Sequence, residues 1–364
     1  MFSSLKNFVS RHRRKFIITG VVVGGTVLAV RYAQHKLREI QERHAREFLD
    51  RTRRMQHYES TERTCNQAII GLSTNLCNVI LNALSTDDIL EKLRQNPENK
   101  IELWEEMKII CFTRLTTLIY ASSMLVVTLR VQLNLLGGYL YKDSLAEGTK
   151  VSDENRQAYL SLIQHFLTDG LQELVDMIKG KVTEVLKSYP LTKKLNLAAI
   201  EQIFWSIQMA VNSDEQDPNS KIAHYLLPKT VSGAEILNKM YSETLDMLES
   251  DDVSSLCSNN ISRGFSIAVD NIAEYYSEAA KANGVIENGP GPSTPKEKLN
   301  APVVNINSIQ LPVAKLIPIV NGITSKTFSS SVKPQNLATS LITFFLVSEK
   351  VKTLGANVYE VFSV

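Results

Sequence analysis

The chain has little of what catalysis or cross-linking needs. Its 364 residues hold four cysteines, Cys65, Cys77, Cys111 and Cys257, with no C-x-x-C pair and no zinc-ligand spacing. That excludes a disulfide scaffold and predicts reduced, buried thiols in a cytosol-facing domain; the Asn260-Ile261-Ser262 sequon then reads as a chance match. There is no P-loop, dinucleotide fingerprint, H-E-x-x-H or G-x-S-x-G elbow. The six histidines (12, 35, 44, 57, 165, 224) are scattered, and His165 falls inside an amphipathic helix, where a surface or satisfied core role is expected. Acidic residues sit mostly as caps and solvated faces, as Glu102, Glu105 and Glu106 do, without an acid/base dyad. The reading is therefore of a protein that is not an enzyme, with no cofactor, metal or small-molecule substrate.

Alternating strand patterns are absent too, whereas helical periodicity is abundant. Leu160, Ile163, Leu167, Leu171, Leu174, Ile178, Val182 and Val185 step by three and four before Pro190. Leu337, Leu341, Phe345, Val351, Leu354, Val358 and Val361 are expected on one side of a C-terminal helix. Ser85-Thr86-Asp87-Asp88 reads as a capping box opening a short helix that ends near Asn96-Pro97. The fold class expected is all-α: a large helical bundle preceded by one N-terminal transmembrane helix. Expected loops are 143–154, 213–220 and 281–300, the last being rich in Gly, Pro and Asn and read as flexible.

Charge is unevenly placed. Residues 1–58 carry thirteen Lys/Arg against four Asp/Glu, a local balance of +9, which leaves −7 for the rest of a chain whose net charge is +2. A nucleic-acid binder would spread a basic face over the fold, so no nucleic-acid partner is expected. A basic head instead suits a membrane-targeting segment. Residues 16–30, FIITGVVVGGTVLAV, are uncharged between RHRRK and Arg31. As a helix they span about 22 Å, short of a hydrocarbon core of about 30 Å. Snorkelling of Lys15 and Arg31, with Tyr32 at the interface, can make up the difference. A cleavable signal lacks its small-residue cleavage site here, and a buried core helix fits poorly between two charged flanks. The division read is a basic targeting segment at 1–15, an anchor at 16–33 and a helical docking domain at 34–364. The anchor and targeting residues are Arg11, Arg13, Arg14, Lys15, Phe16, Ile17, Ile18, Gly20, Gly24 and Leu28, with Gly20-x-x-x-Gly24 a weak packing motif. Both flanks are basic, so charge alone leaves the orientation open.

A second uncharged stretch, 115–129 between Arg114 and Arg130, has the hydropathy of another span. It is short and contains Thr and Ser, so it is read as the core helix of the bundle.

One non-catalytic feature stands out. Lys100, Trp104 and Met107 fall on one helical face, where a Trp beside Met and Lys can hold the apolar anchor of a partner helix. Pattern alone favours the plainer reading of Trp104 as a core anchor. HYESTERTCN (57–66), KIELWEEMKIICFTR (100–114), LRVQLNLLGGYLY (129–141), LPVAKLIPIVNG (311–322) and ANVYEVFS (356–363) together closely resemble the peroxin-3 family of peroxisomal biogenesis factors. The likeness is dense over 1–142 and weakest at 191–240 and 281–300.

The resemblance implies a single-span peroxisomal membrane protein whose bulk faces the cytosol. It implies a docking receptor for peroxisomal biogenesis factor 19, which arrives with membrane-protein cargo and inserts an amphipathic N-terminal helix into a groove. The groove positions fall on Leu93, Lys100, Trp104, Met107 and Lys315, with Ile319 nearby, and on this reading Trp104 is partly exposed. Met107 departs from the Leu often found there; Met is similar in volume and flexible, so the pocket should survive. The partners implied are that receptor and peroxisomal membrane lipid. A membrane-anchored tether or adaptor, linking peroxisomes to other cellular components, is the alternative.

Overall fold

A 45-residue helix that is apolar nearly all round can only be stable at the centre of something, and this fold is arranged around one. In the computed structural model, which describes residues 13–145, 150–283, 308–325 and 337–364, the chain divides into two units, Met1–His57 and Tyr58–Val364. The helices in order are α1 (Arg13–Ala83), α2 (Asp87–Arg94), α3 (Lys100–Ser144), α4 (Asp153–Ser161), α5 (Ile163–His165), α6 (Leu171–Leu186), α7 (Leu197–Asn212), α8 (Ile222–Leu226), α9 (Glu235–Leu248), α10 (Asp251–Asn283), α11 (Val313–Ser325), α12 (Leu337–Val347) and α13 (Glu349–Ser363). A π-helical turn, Phe166–Gly170, joins α5 to α6. The one departure from all-α among the described residues is a two-residue antiparallel pairing of β1 (Lys194–Leu195) with β2 (Leu311–Pro312).

The first unit is the leading part of α1. Residues 31–51 are exposed on every side, with pairs such as Lys36–Glu39 (3.1 Å) running along the helix surface.

In the second unit α3 is packed by α6, α9, α10, α11, α12 and α13. It is the one described helix long and apolar enough by itself to cross a membrane, and 94% of that apolar window is buried within the protein. Residues 115–129 are therefore core, as their Thr and Ser content suggested. The charges that bracket them are buried as well. Arg130 is 0% exposed, donating to Asn66 Oδ1 (2.7 Å) and pairing with Glu62 (3.2 Å) on α1. Helix α13 approaches α3 closely because Gly355 lies there: a Cβ would meet Arg130 Cδ at 2.7 Å.

Two helical stretches read as continuous are interrupted. The run from 155 breaks at Leu162 and at the π turn, where α8 comes so near that a Cβ on Gly170 would overlap the Tyr225 carbonyl oxygen. The C-terminal run breaks at Ser348, though Val351 and Val358 in the second half are buried as expected. Gly355, Val358 and Tyr359 face inward, and Val361 is 60% exposed instead of buried. None of the four cysteines forms a disulfide, and all four are buried.

Candidate functional site

The site is built on the first turns of α3 and the two short helices beside it. Helix α2 opens with the Ser85 hydroxyl accepting from the Asp87 N–H (3.3 Å) and with Asp87 and Asp88 in its first turn, where carboxylates favour the helix dipole. The full capping box expected there does not form: the helix begins at Asp87, and the N-cap position, Thr86, makes no side-chain capping bond. At its other end the Gln95 and Asn96 N–H groups donate to Lys92 O (3.1 Å) and Leu93 O (3.2 Å). Asn96 has φ 56°, a left-handed conformation that Asn tolerates better than most residues. That turn, followed by Pro97, re-aims the chain into α3.

Helix α11 is held at both ends. The Val313 and Ala314 N–H groups donate to Lys193 O and Leu191 O (both 3.0 Å), and Asn321 Oδ1 accepts from Arg114 Nη1 (2.7 Å). The segment that receives α11's first turn is itself gripped by α3. Lys108, 2% exposed, donates to Leu186 O (3.3 Å) and Tyr189 O (2.8 Å) and pairs with Glu105. A buried ammonium on the free carbonyls at the end of α6 is stabilised by those hydrogen bonds and by the helix dipole. Arg114 closes the other side, donating through Nε to Leu84 O (3.1 Å) just past the end of α1. Burial lowers its pKa; a guanidinium tolerates that without losing its charge. Together these bonds lay α11 beside residues 108–114 of α3.

On this frame the expected groove residues fall into three groups. Leu93, Trp104 and Ile319 are half-buried against the core, and Leu90 joins them one turn before Leu93. Lys100 and Lys315 are exposed. Met107 differs from the expectation of a surface contact: at 2% exposure it belongs to the core. The reason is helical geometry, since position 107 lies one turn further along α3, where neighbours already close over it. Met107 therefore presents no face of its own to solvent.

Sequence reasoning missed Lys108 and Arg114 as the residues that position this end of the bundle. The signal was there, a cation inside an otherwise apolar helix, which a buried chain tolerates only with partners. Of the expected anchor residues, Arg11 lies outside the described residues. Arg13, Arg14, Lys15, Phe16, Ile17, Ile18, Gly20, Gly24 and Leu28 lie in the helical backbone of α1, with side chains outside the described ones. Of 281–300, residues 281–283 close α10 and the rest lies outside the described residues.

None of this geometry activates a nucleophile. Burial pushes the Cys65 thiol up to about 11 and the Cys111 and Cys257 thiols up to about 12, which keeps them protonated and inert. His165 is half-buried, 3.6 Å from Asp169. Among the described residues no three His, Cys, Asp or Glu side chains stand together as metal ligands.

The Peroxin-3 family model matches residues 7–100, 95–150 and 141–359. The chain is also 37% identical over 385 residues to the peroxisomal biogenesis factor 3 of Rattus norvegicus, covering 100% of this chain and 98% of that protein. The chain belongs to the peroxin-3 family. The Homo sapiens protein of the same name is likewise 37% identical over 388 residues, with the same coverage. A more distant relative is peroxisome biogenesis protein 3-2 of Arabidopsis thaliana, 24% identical over 247 residues, which cover 62% of this chain and 68% of that protein. Membership makes the chain a peroxisomal biogenesis factor, in a family that is not a known enzyme class.

Proposed function

We propose that this peroxin-3 family member is a docking receptor of the peroxisomal membrane, binding the amphipathic N-terminal helix of peroxisomal biogenesis factor 19 with its membrane-protein cargo. Residues 16–33 serve as the single membrane anchor, and the bulk of the chain faces the cytosol. The observation that supports this reading most is that Leu93, Trp104 and Ile319 are each half-buried against the core while Lys100 and Lys315 are exposed. A large aromatic packed on a rigid core, yet open on one side, is the kind of residue that carries helix-in-groove binding. The two lysines favour an acidic rim on the partner.

Titrating the receptor's N-terminal helix onto the full-length chain tests the reading. Trp104→Ala is expected to weaken binding by about 2 kcal/mol, roughly thirtyfold. Lys100→Ala should chiefly slow association and flatten its salt dependence. Unchanged affinity in Trp104→Ala would sink the assignment of this groove; a tether on another surface would keep its partner in that variant.

A further inference from the structure

A second groove lies along the other tryptophan. Helices α7 and α10 pack through Phe204 and Phe265, whose rings stand 5.5 Å apart and are buried. Above that floor is an open cleft of about 270 Å³ lined by, among others, Glu201, Trp205, Gln208, Ser262, Val269 and Asp270. Trp205 is 56% exposed, and Met209, one turn on, is 44% exposed. Nearly half of Trp205 is covered, yet it adds little to the core. Phe, Leu or Gln would serve the α7 side equally well, because Ile203, Phe204 and Ile207 already supply the core contacts. Gln208 donates to Ser262 Oγ at 2.9 Å, tying the two walls together.

The charge lining the cleft has one sign. The charged residues lining the cleft are Glu201 and Asp270, with no base among them, and Glu274 and Glu278 continue from Asp270 at four-residue steps, both exposed. The nearby cation on α10, Arg263, is turned to the opposite flank, its guanidinium 5.2 Å from the Phe344 ring centroid. Lining positions 201, 205 and 208 on α7, and 262, 266 and 269 on α10, make two helical turns, about 11 Å. That length accepts the i, i+3/i+4, i+7 anchors of one helix.

We infer that the α7–α10 cleft is a second docking site, for a cationic amphipathic helix of a partner protein that sets large apolar side chains on Trp205 and Met209 and Lys/Arg beside Glu201, Asp270 and Glu274. This chemistry is the reverse of the lysine-rimmed Trp104 groove, so the two sites would select different partners and could be filled together. The inference does not depend on what binds at Trp104.

The chain has two tryptophans, so Trp104→Phe leaves Trp205 as the sole tryptophan, excited apart from the tyrosines at the red edge of the absorption band. The full-length Trp104→Phe chain in zwitterionic lipid nanodiscs is titrated with a Trp-free Leu/Lys amphipathic helical peptide, with empty nanodiscs as the blank. A blue shift of Trp205 emission, weakened at least about tenfold in Glu201→Lys/Asp270→Lys and absent with the Leu/Glu isomer, is the expected result. Trp205→Ala, read by peptide anisotropy, should lose affinity similarly, since an exposed side chain can be truncated without unfolding. Equal binding of both peptides, binding indifferent to the charge-reversal pair, or no shift at all would overturn the proposal. Peptide binding that needs Trp104 rather than Trp205 would also overturn it.

Discussion

Helix α1 is one continuous element, yet its two parts obey different rules. Residues 31–51 are exposed on every side, and charges such as Lys36, Glu39 and Arg43 pair with neighbours three or four residues along the same helix. From Tyr58 onward the helix buries Cys65, Ile69, Leu76 and Ile80, and its polar groups are used across elements, as Glu62 and Asn66 are by Arg130. The same backbone geometry thus supports a solvated rod and a core helix. What differs is whether a polar group's partner is local or distant. Local pairs on a wet surface are worth little, whereas distant partners in the core are costly to lose.

That contrast can be broken first where the core is tightest. Gly170→Ala improves helix propensity, but its Cβ would collide with the Tyr225 backbone, which cannot swing away as a side chain could. It should destabilise by about 3 kcal/mol, whereas Gly180→Ala, with nothing within 4 Å, should stabilise by about 0.8 kcal/mol. Denaturant midpoints of the two variants should move in opposite directions. A shared direction would mean that α8 does not press on the π turn.

Lys108→Met is next. It keeps the stem but strands Leu186 O and Tyr189 O, and should cost about 2 kcal/mol. Amide exchange should rise at the end of α6 and the start of α11, because both hang on the segment Lys108 holds. Uniform loosening of the whole bundle would refute so local a role. At the small end, Glu39→Gln removes the partner of Lys36 and Arg43 on the exposed rod. Melting temperature should not change, and a measurable drop would show that the surface pairs matter after all.

Much of the fold was legible because helices advertise themselves by period. The 155–190 periodicity, the buried thiols and the core nature of 115–129 follow from apolar spacing, Cys count and the Thr/Ser content of an otherwise hydropathic stretch. Phase was harder to read. Val361 was expected inside with Val351 and Val358, but the inward face of α13 takes Gly355 and Tyr359 instead, and Gly355, a residue with no hydrophobic signal, forms the contact with Arg130. Of the proposed Trp104 groove, the face from Lys100 to Trp104 could be read directly, while Leu93 and the α11 pair Lys315 and Ile319 came from family likeness alone. Nothing in local sequence says that a helix so distant along the chain lies alongside.

The sequence by itself determined that this is a helical protein without catalytic motifs, with a basic, apolar head and a long buried central helix. Composition and periodicity are local properties, and they suffice for that. Only the tertiary structure decided that Met107 is core while Trp104 stays half-open, and that Lys108 and Arg114 bind carbonyls at the ends of α6 and α1 and the Asn321 side chain of α11. It also decided that Trp205 stands exposed between carboxylates. Exposure depends on what a distant helix covers, and hydrogen bonds to carbonyls at the ends of α1 and α6 exist only once those ends have been brought to α3.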